Sequence, residues 1–194
     1  LVDRLKASIA SLTDKNIPEA IRTAELLRID QLAQTCVFTS QGVPFILAGE
    51  EMLRDKKGVH NSYNSPDSIN QFTWTNLQKY PQAFAYYKSL IQLRKNHPAF
   101  RLSTGEKVRQ HLEFLPCQQT CLVGFQLKNL KGIDAWKSII VIYNFNKEAM
   151  KMQIPEGSYT VACCNGVINE EGLGFVSGKE VEVAPQSALI LYQK

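Results

Sequence analysis

No stretch of this 194-residue chain is apolar for long: its longest apolar runs, such as residues 139–143, fall far short of the roughly 20 residues that a membrane-spanning helix needs. Residues 1–10 carry no signal-peptide pattern. A clustered basic footprint is also missing. The 22 basic and 18 acidic residues are scattered and leave a net charge of +4, which argues against nucleic-acid or membrane-surface partners. Cysteine is sparse and odd in number, with Cys36, Cys117, Cys121 and the vicinal pair Cys163 and Cys164. That is a poor disulfide framework, so the expectation is mostly buried free thiols in a reducing, cytoplasmic compartment. The Cys117–Cys121 spacing has no matching His or Cys pair nearby, so no zinc site is expected. His60, His97 and His111 are too far apart in sequence to suggest a metal site or a triad, and no Gly-x-Ser-x-Gly or phosphate loop occurs. No cofactor or metal is therefore expected.

What the sequence does have is ordinary globular composition, 44% hydrophobic and 21% charged, with two periodicities. Residues 1–103 read as helices around one strand, and residues 104–194 as short alternating strands. Asn16, Pro18 and Glu19 form a helix-start signal. Ile17, Ile21, Ala24, Leu32 and Cys36 then recur at helical spacing up to about Phe38. The run from Gly42 to Gly49 (GVPFILAG) is continuously apolar between glycines, which predicts a strand buried on both faces. Residues 54–80 are polar and longer than a routine connection, as functional loops often are. A helix is expected from Pro81 with Phe84, Tyr87, Leu90 and Ile91 on one face, stopped by Pro98. Beyond residue 104, alternating stretches at 106–115, 119–128, 136–146, 149–154, 158–164, 174–183 and 187–193 predict an antiparallel Greek-key sandwich. The helix-like start at Leu1 lacks a cap signal and reads as cut.

Three segments carry a resemblance. Thr39–Glu51 (TSQGVPFILAGEE) resembles the final barrel strand of the α-amylase superfamily. His60–Asn70 (HNSYNSPDSIN) resembles the loop that follows this strand in type I pullulanases, and Leu90–Phe100 (LIQLRKNHPAF) the last barrel helix. The resemblance implies an α+β chain: residues 1–103 as the terminal part of a (β/α)8 TIM barrel, its last strand and flanking helices, and residues 104–194 as an all-β antiparallel sandwich. It further implies the C-terminal portion of an α-1,6-glucan debranching glycoside hydrolase that acts on pullulan, starch or glycogen. Such enzymes use a retaining mechanism, whose two carboxyl groups stand roughly 5 Å apart. The resemblance places those carboxylates on earlier strands, so no catalytic residue is expected in this chain. Length agrees: eight strand–helix units take about 250 residues, and one unit is recognisable here.

Barrel active sites lie on the loops after the strands, so Asn61, Tyr63, Asn64 and Asp67 are the expected substrate-binding residues. Amides and a carboxylate there would bond sugar hydroxyls, and the tyrosine ring would stack on a pyranose. Turn chemistry alone also explains such residues. Glu50 and Glu51 are adjacent and should point to opposite faces, which argues against a catalytic pair. Glu51 is expected to be a structural carboxylate that holds an arginine. Trp136 is expected in the sandwich core, and an unpartnered barrel surface to favour packing on the β half or self-association. The competing reading is a non-catalytic carbohydrate-binding or stabilising β module.

Overall fold

A computed structural model describes all of residues 1–194. Helix α1 (Val2–Ser8) and a 3₁₀ turn (Ala10–Leu12) lead to the long helix α2 (Glu19–Thr39). Asn16 does not cap α2. Its amide instead donates to Asp14 Oδ1 at 2.8 Å in a tight turn, and the helix opens at Glu19 behind Pro18. The buried stripe is rotated from the expected one: Leu26, Leu27, Leu32, Thr35 and Phe38 are buried, whereas Ile21 and Ala24 face solvent. The reason is that α2 serves two neighbours. Its first half packs on Val2 and Leu12, and its second half on the sheet.

The Gly42–Gly49 segment is the largest departure from expectation. It forms no strand, and Val43 and Phe45 are each 93% exposed. A strand buried on both faces needs hydrogen-bonded neighbours at its edges and a packed layer over each face, and the seven strands of the chain pair only with one another. Arg94 holds the start of this segment, donating to Phe38 O at 2.7 Å and Ser40 O at 2.8 Å, with a further bond to Gly42 O.

Two short helices, α3 (Asp67–Asn70) and α4 (Asn76–Lys79), interrupt the polar loop before α5 (Pro81–Asn96). Pro81 sits in the first turn, where its missing N–H leaves no bond unmade. The buried face of α5 is Ala83, Tyr86, Tyr87, Leu90 and Leu93; Phe84 and Ile91 lie on its exposed flank. After a 3₁₀ turn (Pro98–Arg101), α6 (Gly105–His111) replaces most of the first expected strand. Thr104 caps it, accepting from the Lys107 amide at 3.2 Å.

Strands β1 (Leu112–Phe114), β2 (Leu122–Leu127), β3 (Ser138–Asn144), β4 (Met150–Cys164), β5 (Val167–Ile168), β6 (Phe175–Val183) and β7 (Ser187–Gln193) follow. They form one hydrogen-bonded, antiparallel sheet in the order β1-β2-β3-β7-β4-β5, with β6 on β4. The two stretches expected at 149–154 and 158–164 are a single strand with a register shift between Gln153 and Gly157. Asn165 and Gly166 both have positive φ (47° and 73°) and close the two-residue turn from β4 to β5.

Every residue of β3 is buried. Ile139, Val141 and Tyr143 join a core with Leu32, Phe38, Tyr87, Leu90 and Phe100 of the helical half. Ile140 and Ile142 join a second core with Met152, Ile154, Val181 and Val183. The β4–β6 ribbon thus covers the face of the sheet that the helices leave open, and a Cβ on Gly124 of β2 would lie 2.6 Å from the Met152 methyl. The chain is a mixed helix and antiparallel-sheet protein in which helical and β halves share one core. No helix is long and apolar enough to cross a membrane.

Candidate functional site

The polar loop is held at its base by short-range geometry. Gly49 has φ 97°, and a Cβ there would meet Arg54 Cδ at 2.8 Å; glycine lets the chain turn under that side chain. The guanidinium of Arg54 lies 4.2 Å over the Phe72 ring, and Phe72 in turn lies 5.4 Å from Trp74. Arg54 also donates to Ala48 O at 3.0 Å and to Asn70 O.

Asn70 is the hub of the loop. Its amide donates to Ser62 O at 2.7 Å and Ser65 O at 2.9 Å, and its side-chain oxygen accepts from Lys56 Nζ at 2.6 Å. Helix α1 anchors the other side: Asp3 accepts from the amides of Lys56 and Gly58, each at 2.9 Å, and Lys6 pairs with Asp55. Burial raises the Asp55 carboxyl, but hydrogen bonds from Lys6 and the Lys57 amide, with the Lys6 charge, hold it below its usual range.

On this frame Asn61, Tyr63, Asn64 and Asp67 are all solvent-exposed, Tyr63 at 83%. Asp67 opens α3. None of the four side chains bonds to another group of the chain, so their amides, hydroxyl and carboxylate are free to meet a ligand. Trp74, 64% exposed, stands on the same loop. The supports of the loop, Arg54, Lys56 and Asn70, were not among the residues expected from the sequence. No spacing rule marks them, because each acts through a bond that exists only once the loop has closed.

Glu51 turns back on its own backbone, with Oε2 accepting from the Gly49 amide at 3.0 Å, and bonds no arginine of this chain. Glu50 points toward α2, where Gln34 Nε2 donates to its Oε2 at 3.3 Å and the Leu1 amine lies 3.3 Å from Oε1. The two carboxylates therefore do not act on a common point. Near Glu50, Asp30 is raised to about 7, first by burial and then by the Glu50 charge. Its Oδ1 accepts from Tyr87 OH at 3.4 Å.

At the seam between the halves, His97 Nδ1 meets Asp134 Oδ1 at 2.7 Å, and Nε2 lies 3.2 Å from Glu170. The His97 ring stacks on Trp136 at 3.5 Å, and Trp136 on Tyr192 at 3.9 Å. Trp136 is only 3% exposed; it packs in the core and offers no sugar platform. Burial raises Asp134, yet bonds from His97 and the Trp136 and Ala99 amides hold it below its ordinary value. No group of three or more His, Cys, Asp or Glu is placed to hold a metal. All five cysteines are free. Cys163 is buried and Cys36 half-buried, each raised to about 12 by burial, but Cys117 and Cys121 are exposed, contrary to the expectation of mostly buried thiols.

Residues 108–166 match the family described as pullulanase, all-beta domain. The chain is 40% identical over 134 residues to a pullulanase of Bacillus subtilis, a match that covers 69% of this chain and 18% of that protein. It superposes on the pullulanase from Bacillus acidopullulyticus with a TM-score of 0.88 and 44% identity, over 99% of this chain and 22% of that one. It also superposes on the pullulanase of Anoxybacillus sp. LM18-11 complexed with maltotetraose, with a TM-score of 0.83 and 30% identity, over 100% of this chain and 26% of that one. The chain thus spans about a fifth of the length of these relatives. It belongs to the type I pullulanase family and corresponds to the C-terminal portion of such a protein.

Proposed function

We propose that this chain is the C-terminal part of an α-1,6-glucan debranching glycoside hydrolase whose substrates are pullulan, starch and glycogen. The observation that carries the reading is the superposition on the B. acidopullulyticus pullulanase over 99% of the chain at 44% identity. In this reading residues 1–103 are the end of a (β/α)8 barrel and residues 104–194 a Greek-key β-sandwich domain entered through the short helix α6. The exposed segment 43–47 is the last barrel strand, paired in the parent with strands outside these residues. Its alternating side chains are what a strand without its neighbours would present.

The loop 50–76 then lies at the C-terminal end of that strand, where barrel sites form. Asn61, Asn64 and Asp67 bond sugar hydroxyls, and Tyr63 stacks on a pyranose face, each group unengaged by its own chain. The acid and the nucleophile reside in the preceding portion of the parent, so these residues position the glucan while other residues cleave it. The Anoxybacillus relative is complexed with maltotetraose, which supports an α-glucan partner.

The test joins this chain to the preceding portion of the B. acidopullulyticus relative, replacing the matching segment. The expected result is pullulan hydrolysis by the chimera and no release of reducing sugar by residues 1–194 alone. An inactive but folded chimera, or hydrolysis by the isolated chain, would overturn the reading. In the active chimera, Tyr63→Ala should raise KM by roughly 5–30-fold, as expected for the loss of about 1–2 kcal/mol of binding.

A further inference from the structure

Helix α2 carries two buried acceptors that nothing in the chain satisfies. Asp30 is 1% exposed and its Oδ2 has no partner; Gln34 is 3% exposed and its Oε1 has none. They are four residues apart and so share a face of the helix. Glu50 meets them there: its Oε2 accepts from Gln34 Nε2, and its charge bears directly on Asp30. Buried polar groups in folded proteins are almost always paired, and free buried oxygens on Asp30 and Gln34 beside the Glu50 carboxylate suit a donor that also carries positive charge. The only cation at hand is the terminal ammonium of Leu1, 3.3 Å from Glu50 Oε1. Joined to a preceding peptide, that nitrogen would be an uncharged amide.

We infer that Asp30, Gln34 and Glu50 form a receptor for a guanidinium, filled by an arginine of the polypeptide outside residues 1–194. Three side chains offer acceptors from two elements, α2 and the turn after Gly49, which suits the five-donor fork of arginine better than the compact ammonium of lysine. A divalent cation fits poorly, because calcium takes six or more oxygen ligands and no group of three or more His, Cys, Asp or Glu converges here. A water molecule could satisfy the two free oxygens but would leave the Glu50 charge uncompensated. The share of the relatives that this chain spans, 22% of the B. acidopullulyticus protein, leaves ample polypeptide to supply the arginine. These contacts, and not the debranching activity, carry the assignment.

The experiment measures Tm of the chain at mildly alkaline pH in methylguanidinium, tetramethylammonium or calcium chloride at matched ionic strength. Methylguanidinium at about ten times its dissociation constant should raise Tm by roughly 3–5 °C, and tetramethylammonium, equal in charge but without N–H donors, should not. Asp30→Asn and Gln34→Met should each remove most of the rise; if the Asp30 variant fails to fold, the Gln34 variant decides. Equal shifts in the variants, no shift in any salt, or a larger shift with calcium would overturn the guanidinium assignment. In the chimera the site is already filled, so methylguanidinium should leave Tm unchanged. A shift that persists there would overturn the arginine as occupant, whether or not the chimera is active.

Discussion

Asn70 bonds two carbonyls and a lysine from one short side chain, so much of the shape of the 60–70 loop depends on it. Asn70→Ala should leave Ser62 O, Ser65 O and Lys56 without that partner and cost about 1–3 kcal/mol. Hydrogen exchange should show faster amides over residues 61–69 with the sheet unchanged; uniform protection would refute the assignment. Asp30 sets a pH dependence. Its folded value of about 7 lies above the ordinary aspartate value of 3.8, so the native state holds the proton longer than the unfolded chain. The associated stability is fully present below the unfolded value and is lost as pH rises from about 4 to 7. The upper bound is on the order of 4 kcal/mol. Denaturant midpoints across that range should fall, and Asp30→Asn should flatten the slope. Tyr63, Asn61, Asn64 and Asp67 were legible as exposed loop residues because their types and the loop's polarity are local properties. The supports were not, since Asn70 and Lys56 are 14 apart in sequence and meet only in the closed loop.

Helices α2 and α5 were readable because each carries a long apolar repeat, but the exact buried face was not. Phe84 and Ile91 are as apolar as their neighbours, and what decides is that α5 turns Tyr86 and Tyr87 toward α2 and the sheet. There Tyr86 and Thr35 hydroxyls bond at 2.7 Å, and Tyr143 and Thr39 at 2.5 Å. Strands β3 and β7 fell within the expected ranges for the same reason as α2: strong, local pattern. Residues 106–115 read as alternating, yet the Thr104 cap and Glu106 in the first turn tip 106–111 to helix. Arg94 links these elements, because its guanidinium reaches from α5 to carbonyls at the end of α2. Arg94→Met keeps the stem and removes the donors, leaving at least one buried carbonyl unpaired. A loss of about 2–4 kcal/mol is expected in equilibrium unfolding; a change below about 0.5 kcal/mol would show that the hook does not bind α5 to α2.

At the scale of the molecule, the exposed 43–47 segment is the feature that an apolar reading of the sequence could not place, because what buries a strand is its neighbours rather than its composition. Val43 and Phe45 stand out into solvent, and exposed apolar side chains of this kind favour association with other chains. We expect the isolated chain to self-associate with rising concentration in sedimentation velocity, and Phe45→Glu to keep it monomeric at the same Tm. A monomer at all concentrations would count against this. The boundary near residue 104 marks a change of periodicity, while the shared core means that helices and sheet should melt in one transition. The placement of the two tryptophans has an optical consequence. Trp74 stands in solvent, whereas Trp136 is sealed between His97 and Tyr192. A collisional quencher therefore reaches the first indole and not the second, so the chain's own emission reports the loop and the seam as separate signals, without any added label.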